Sequence, residues 1–183
     1  TQAETELVKE WLLKTPFHKF YIPDALTKGE FPECLVGLRE QNRMKEEISD
    51  LISNKFYKER PLITGQHANS EPSIPRPNFS KKGKRIFWID TSELGAWSAR
   101  RFGESSLFNV THAAIAGAIA DQLIADGILT HNNRAYGLGF VSPYTAQCEL
   151  VKKLLEDKTE YIDPSSIGTA HKFQGSERDI IIF

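Results

Sequence analysis

Apolar and polar positions follow two rhythms along this chain. Leu7, Val8, Trp11 and Leu12 recur at helical spacing and predict a helix over 4–14, ended by Pro16. Ile48, Leu51, Ile52 and Phe56 predict a second helix. Ile115, Ile119 and Leu123 predict a third, from Asn109 to about Asp126, with Gly127 as its stop. A fourth follows Pro143 and Tyr144 and carries Cys148, Val151, Leu154 and Leu155. Between them lie short runs that are apolar throughout: 34–38 (CLVGL), 85–90 (RIFWID), 138–141 (LGFV), 167–169 and 180–183. Such runs read as strands covered on both faces, not as half-exposed ones. The expected fold is α/β, with a parallel sheet and helices on both faces. Ligands of such sheets gather at the carboxyl ends of the strands, so the residues after each run are the ones to inspect.

Periodicity is lost from Pro61 to Arg85, where Pro72, Pro75 and Pro77 exclude a regular helix and Lys81, Lys82, Lys84 and Arg85 form a basic cluster. A long loop or hinge over 61–84 is expected, inside a domain spanning 35–183. Residues 1–34 are expected to be an N-terminal helix and linker. Charge adds little: over 183 residues the formal net charge is -1, so any contact with nucleic acid must come from local patches. The two cysteines, Cys34 and Cys148, sit in no zinc-binding or disulfide-framework spacing, which points to a reducing, intracellular setting, the cytoplasm or a eukaryotic nucleus. No apolar run approaches the roughly 20 residues of a membrane helix, no signal peptide is visible, and no membrane partner is expected. The chain opens on Thr1 without Met and stops inside an apolar run, so both ends are expected to be cuts in a longer protein.

Three strand ends carry candidate chemistry. Ser142-Pro143-Tyr144-Thr145-Ala146-Gln147 enters a helix whose N-terminus suits a phosphate, and Ser142 and Thr145 could cap that helix or donate to an anion. Thr169 ends a strand and is followed by Ala170-His171-Lys172-Phe173-Gln174-Gly175-Ser176-Glu177, where Gly175 allows a close backbone approach and Gln174 and Glu177 are a polar pair. Arg43 lies between a strand and a helix and has the geometry to reach a phosphate bidentately. Each run also has a plain reading: a cap, a surface turn, and an ion pair with Glu40, Glu46 or Glu47.

The order of the runs favours the chemical readings. LREQNRM (38–44), a helix starting at Asn109 with Ala113, then SPYTAQ (142–147), then GTAHKFQGSERDIIIF (168–183) form one series. It resembles the second RecA-like domain of superfamily 1 helicases, in the branch that moves 5′ to 3′ and includes the nonsense-mediated-decay and Okazaki-maturation helicases. The resemblance runs from about Leu35 to Phe183. It implies an ATP-dependent motor in which Arg43 is a catalytic arginine contacting the γ-phosphate. Gln41, Gln174, Gly175 and Glu177 would join Arg43 around the nucleotide. Ser142, Tyr144, Thr145, Gln147, Thr169 and His171 would contact single-stranded DNA or RNA. ATP and Mg²⁺ would be held mainly by a preceding RecA-like domain. Departures from the family pattern are Asn42 for a Tyr that can stack on adenine, Lys45-Glu46 for His-Pro, His112 for a Glu, and His171 for a frequent Asp. His18, His67 and His131 read as plain solvent-exposed residues.

No GxxxxGK[ST] loop occurs, and Gly83-Lys84 lacks both the earlier glycine and a following Ser or Thr. A second reading is therefore a RecA-like protein-binding module with a vestigial ATP site. A third, a nuclease, would start from Asp90 and Glu93 but lacks a D…ExK pattern. No ligand cluster predicts a resident metal. The purified chain alone is expected to neither hydrolyse ATP nor unwind a duplex; phosphate release by the isolated chain is the measurement that checks it.

Overall fold

The computed structural model describes residues 2–10, 15–29, 36–70, 77–79, 84–130 and 137–183. Trp11, Leu12, Cys34, Pro72, Pro75, Lys81, Lys82 and His131 lie outside them. The chain divides into two compact units, Thr1–Glu71 and Pro72–Phe183.

In the first unit, helices α1 (Gln2–Val8), α2 (Pro16–Lys19) and α3 (Ile22–Lys28) precede a two-stranded parallel pair, β1 (Glu40–Gln41) and β2 (Ile63–Thr64). Helix α4 (Glu46–Phe56) lies between those strands and α5 (Gln66–Ser70) follows them. The predicted strand at 34–38 is corrected over 36–38; Cys34 and Leu35 lie outside the described residues. Residues 36–38 form no ladder and Leu38 is 87% exposed, because pairing with β2 starts only at Glu40. Helix α4 forms where expected but is rotated. Leu51 and Phe56 are exposed, and Ser49 and Ser53 are the buried positions. Small side chains there let the helix approach the chain before β2, and Ser53 Oγ accepts a 3.1 Å bond from Leu62 N–H. The predicted loop at 61–84 is also corrected at its start, which holds β2 and α5.

The second unit is built on a three-stranded parallel sheet of order β6-β5-β7: β5 (Leu138–Ser142), β6 (Ile167–Thr169) and β7 (Ile180–Ile182). A short antiparallel hairpin precedes it, β3 (Ala99–Arg100) with β4 (Leu107–Phe108). Two longer helices follow, α6 (Val110–Ala125) before β5 and α7 (Thr145–Leu154) after it. Every residue of β5 is buried, as a central strand requires. Leu138 and Phe140 join Ile167, Cys148, Val151 and Leu155 in one apolar core with α6. The inward stripe of α6 is Ala113, Ala116, Ala120 and Leu123, so short side chains let it pack closely on α7; Ile119 lies at its edge. Gly127, with φ +69, takes the left-handed conformation that ends the helix, as its type predicts. Burial pushes the Cys148 thiol up, which keeps it protonated and inert as a core residue.

Two expectations fail in this unit. Residues 84–91 carry no ladder, and Trp88 is 92% exposed. The β-branched and aromatic content of 85–90 favours a strand, but content alone supplies no neighbouring edge. Nor do helices flank both faces of the sheet: among the described residues of this unit, loop residues cover the second face. A Cβ on Gly139 would lie 2.9–3.1 Å from Ile181, Arg178 and Phe173, and one on Gly168 would lie 2.6 Å from Lys172. A side chain at position 139 would push Phe173, Arg178 and Ile181 outward from β5. Gly139→Val is expected to cost about 1–3 kcal/mol of stability through this overpacking. Urea unfolding of the chain measures it.

Candidate nucleotide and strand contacts

In the first unit, Gln41 organises the turn that carries Arg43. Its Oε1 accepts from Arg43 N–H at 3.0 Å and from Met44 N–H at 2.7 Å. Its Nε2 donates to Met44 O at 2.8 Å and to Thr64 Oγ1 at 3.0 Å. One amide thus closes the turn and ties it to β2, at the carboxyl ends of the two parallel strands. Gly65 N–H donates to Gln41 O at 2.8 Å, and a Cβ on Gly65 would lie 2.1 Å from Asn42 Oδ1. A larger residue at position 65 would require the Asn42 and Glu40 side chains to move. A cleft of about 500 Å³ opens beside this turn, lined by Glu40, Asn42, Thr64 and His67 among others. Arg43 is exposed.

In the second unit, Ser142 and Thr169 are register partners at the carboxyl ends of β5 and β6. Two runs that are far apart in sequence thus meet at one edge. Ser142 Oγ accepts from Tyr144 N–H at 3.2 Å, and Thr169 O accepts from Lys172 N–H at 2.9 Å. Tyr144, Thr145 and His171 stand exposed at the same strand ends. Gln174, Gly175 (φ +81) and Glu177 belong to the loop that returns from the carboxyl end of β6 to the start of β7. Gln41 and Arg43 belong to the first unit and the other candidates to the second.

Helix α7 is not capped as expected. Its N-cap, Tyr144, makes no side-chain capping bond and Thr145 caps nothing; Ser106 Oγ, in the β3–β4 hairpin, accepts from Ala146 N–H at 3.0 Å. A cap from 40 positions away leaves no local signal in the sequence. Gln147 is 7% exposed. Its Oε1 accepts from Asn109 N–H at 2.6 Å and its Nε2 donates to Asn109 O at 3.3 Å. Asn109 in turn caps α6, accepting from His112 N–H at 2.9 Å. His112 Nε2 and Thr91 Oγ1 share a 2.9 Å hydrogen bond, so the His standing for the family's Glu tethers the 90–95 segment to the first turn of α6. Asp90 accepts from Ser92 N–H, which holds its carboxyl below the ordinary value. Among the described residues, no group of three His, Cys, Asp or Glu side chains could hold a metal ion, and no helix is long and apolar enough to cross a membrane.

A family model described as an AAA domain matches residues 22–183. The chain belongs to this family. It is 25% identical to the DNA replication ATP-dependent helicase/nuclease dna2 of Schizosaccharomyces pombe, over 86% of this chain and 12% of that protein. It is 25% identical to the DNA polymerase alpha-associated DNA helicase A of the same yeast, over 93% of this chain and 25% of that protein. The Saccharomyces cerevisiae helicase A is 26% identical over 79% of this chain and 22% of its own length. The chain therefore spans between about a tenth and a quarter of the length of the relatives it matches. Family and relatives together identify it as a superfamily 1 helicase domain with an α/β, P-loop-NTPase-like fold.

Because Gln147 is buried with both amide atoms engaged, its removal should be felt in stability. Gln147→Leu is expected to cost about 1–3 kcal/mol by orphaning the buried Asn109 N–H, since the Asn109 C=O keeps its bond from Ala113 N–H. Ser106→Ala is expected to cost about 0.5–2 kcal/mol as a lost cap. Thermal and urea unfolding of the two variants check both figures.

Proposed function

We propose that this domain is the second RecA-like half of an ATP-dependent helicase motor acting 5′ to 3′ on single-stranded nucleic acid. The observation that carries the reading is the register pairing of Ser142 with Thr169. It brings the two runs assigned to the strand side by side at the carboxyl edge of a parallel sheet, where ligands of such sheets lie. Tyr144, Thr145, Thr169 and His171 would offer hydroxyls and an imidazole to successive phosphates and sugars, while Ser142, buried at the strand end with its Oγ accepting from Tyr144 N–H, would hold the turn that presents them. Gln147 is better cast as a positioning residue, since its amide is spent on Asn109. The relatives are named DNA helicases, which favours DNA over RNA as the strand.

ATP, with Mg²⁺, would supply the free energy of phosphoryl transfer and would sit mainly on a preceding RecA-like domain. The residues here fit its phosphate end. Arg43 is carried on a turn that one amide closes and ties to β2 through four hydrogen bonds, so little backbone freedom is lost when it engages a phosphate. Gln41 accordingly acts by holding Arg43, rather than by touching nucleotide. Gly175 and Glu177, exposed on the loop after β6, would meet the γ-phosphate and ribose. Arg43 would stabilise the charge that develops on the transferred phosphoryl group.

The second reading, a protein-binding module with a vestigial ATP site, draws on Asn42. Its short side chain packs against Gly65 beside the cleft, where the family pattern has an aromatic. One substitution separates the two. In the full-length protein, Arg43→Ala is expected to lower kcat for strand-stimulated ATP hydrolysis by about 10³-fold with little change in nucleotide affinity. Gln41→Leu should lower it less. Unchanged turnover in Arg43→Ala would establish the vestigial site.

A further inference from the structure

The β3–β4 hairpin displays an aromatic ring that the fold does not use. Glu104 N–H donates to Arg101 O at 3.1 Å, and Gly103 between them has φ +80. That left-handed glycine at the third position of a four-residue turn is the signature of a type II turn. Phe102 occupies its second position, at the corner, and is fully exposed, at 107% relative accessibility. Scattered exposed apolar residues are ordinary. This one is held out on a turn fixed from both sides to a single helix. Arg101 Nη1 pairs with Glu149 Oε2 at 3.0 Å, and Ser106 Oγ accepts from Ala146 N–H at 3.0 Å. Ala146 and Glu149 are about one turn apart on α7, the helix that follows Ser142 after Pro143 and Tyr144. The ring is thus anchored to the element that opens the strand-contacting edge. Exposed ion pairs such as Arg101–Glu149 contribute little to stability, so their effect here is on placement.

The chemistry around the ring selects its occupant. Arg100 is exposed, has no ion-pair partner among the described residues, and precedes Arg101 and Phe102. An exposed aromatic with an exposed cation two residues away along the chain suits a base with its phosphate better than it suits an aliphatic chain. We propose that Phe102 stacks on one unpaired base of the strand that lies along Ser142, Thr145 and Thr169, with Arg100 beside the adjoining phosphate. This rests on the strand-contacting role proposed above. Stacking of this kind is tolerant of sequence, because every base offers a π face, so the site adds affinity without base selectivity.

The test is equilibrium binding of the chain to a fluorescein-labelled oligothymidylate and to an oligonucleotide carrying 2-aminopurine, whose emission falls on aromatic stacking. Phe102→Ala and Phe102→Leu are expected to weaken binding by about 5- to 150-fold and to abolish the quenching, the span of one base–aromatic stack. Phe102→Trp should retain both. Phe102 is solvent-exposed, so circular dichroism and Tm should not change. Full retention of affinity and quenching by Phe102→Leu would overturn stacking. If Thr169→Val weakens binding while Phe102→Ala does not, the stacking role is wrong and the strand-contacting role stands. If the unaltered chain binds neither oligonucleotide, both this role and the strand-contacting role fall.

Discussion

Much of the second unit depends on a buried side-chain amide. Gln147 reaches from the first turn of α7 and takes both the N–H and the C=O of Asn109, the residue that starts α6. Buried backbone groups must be satisfied; the Asn109 C=O also accepts the first α6 bond from Ala113 N–H at 3.1 Å, so it is the N–H that relies on Gln147. A Gln fits because it carries a donor and an acceptor at a fixed separation. The clamp aligns the starts of the two helices that pack on the sheet, and with them the ends of β5 and β6. Mobility at this point would pass directly to Ser142 and Thr169.

A similar device operates in the first unit. Gln41 closes the Arg43 turn with the same kind of amide, accepting from two N–H groups and donating to two oxygens. In both units a Gln that reads as a ligand contact in sequence acts on the chain itself. Motif residues need not touch the ligand. Some hold the backbone from which the contacting residues project, and long amide side chains do this well because they span from one element to another.

Glycines supply the complementary constraint. Gly65 leaves room for the Asn42 and Glu40 side chains in their present places, and Gly139 gives Phe173 and Arg178 space to lie across the central strand. The loop after β6 therefore serves two purposes. Its apolar and basic members, Phe173, Lys172 and Arg178, cover the second face of the sheet, while Gln174, Gly175 and Glu177 remain exposed. Folding of the loop and presentation of its polar residues are parts of one event.

What the sequence determined by itself was local or ordered. The helices at 46–56, 110–125 and 145–154 follow from apolar spacing, and the Asn109 start and Gly127 stop follow from backbone chemistry that each residue carries alone. The parallel character of β5, β6 and β7 follows from runs with no polar face. The family was legible because several motifs recur in a fixed order. Tertiary structure decided the rest. The rotation of α4 toward Ser49 and Ser53, the absence of a ladder at 85–90, and the start of pairing at Glu40 rather than in 34–38 all turn on which edge lies alongside, and propensity holds no such information. The Ser106 cap and the Gln147 clamp join residues 40 and 38 positions apart. Hydrogen bonds of that range exist only after the chain has folded, because neither partner marks the other in sequence.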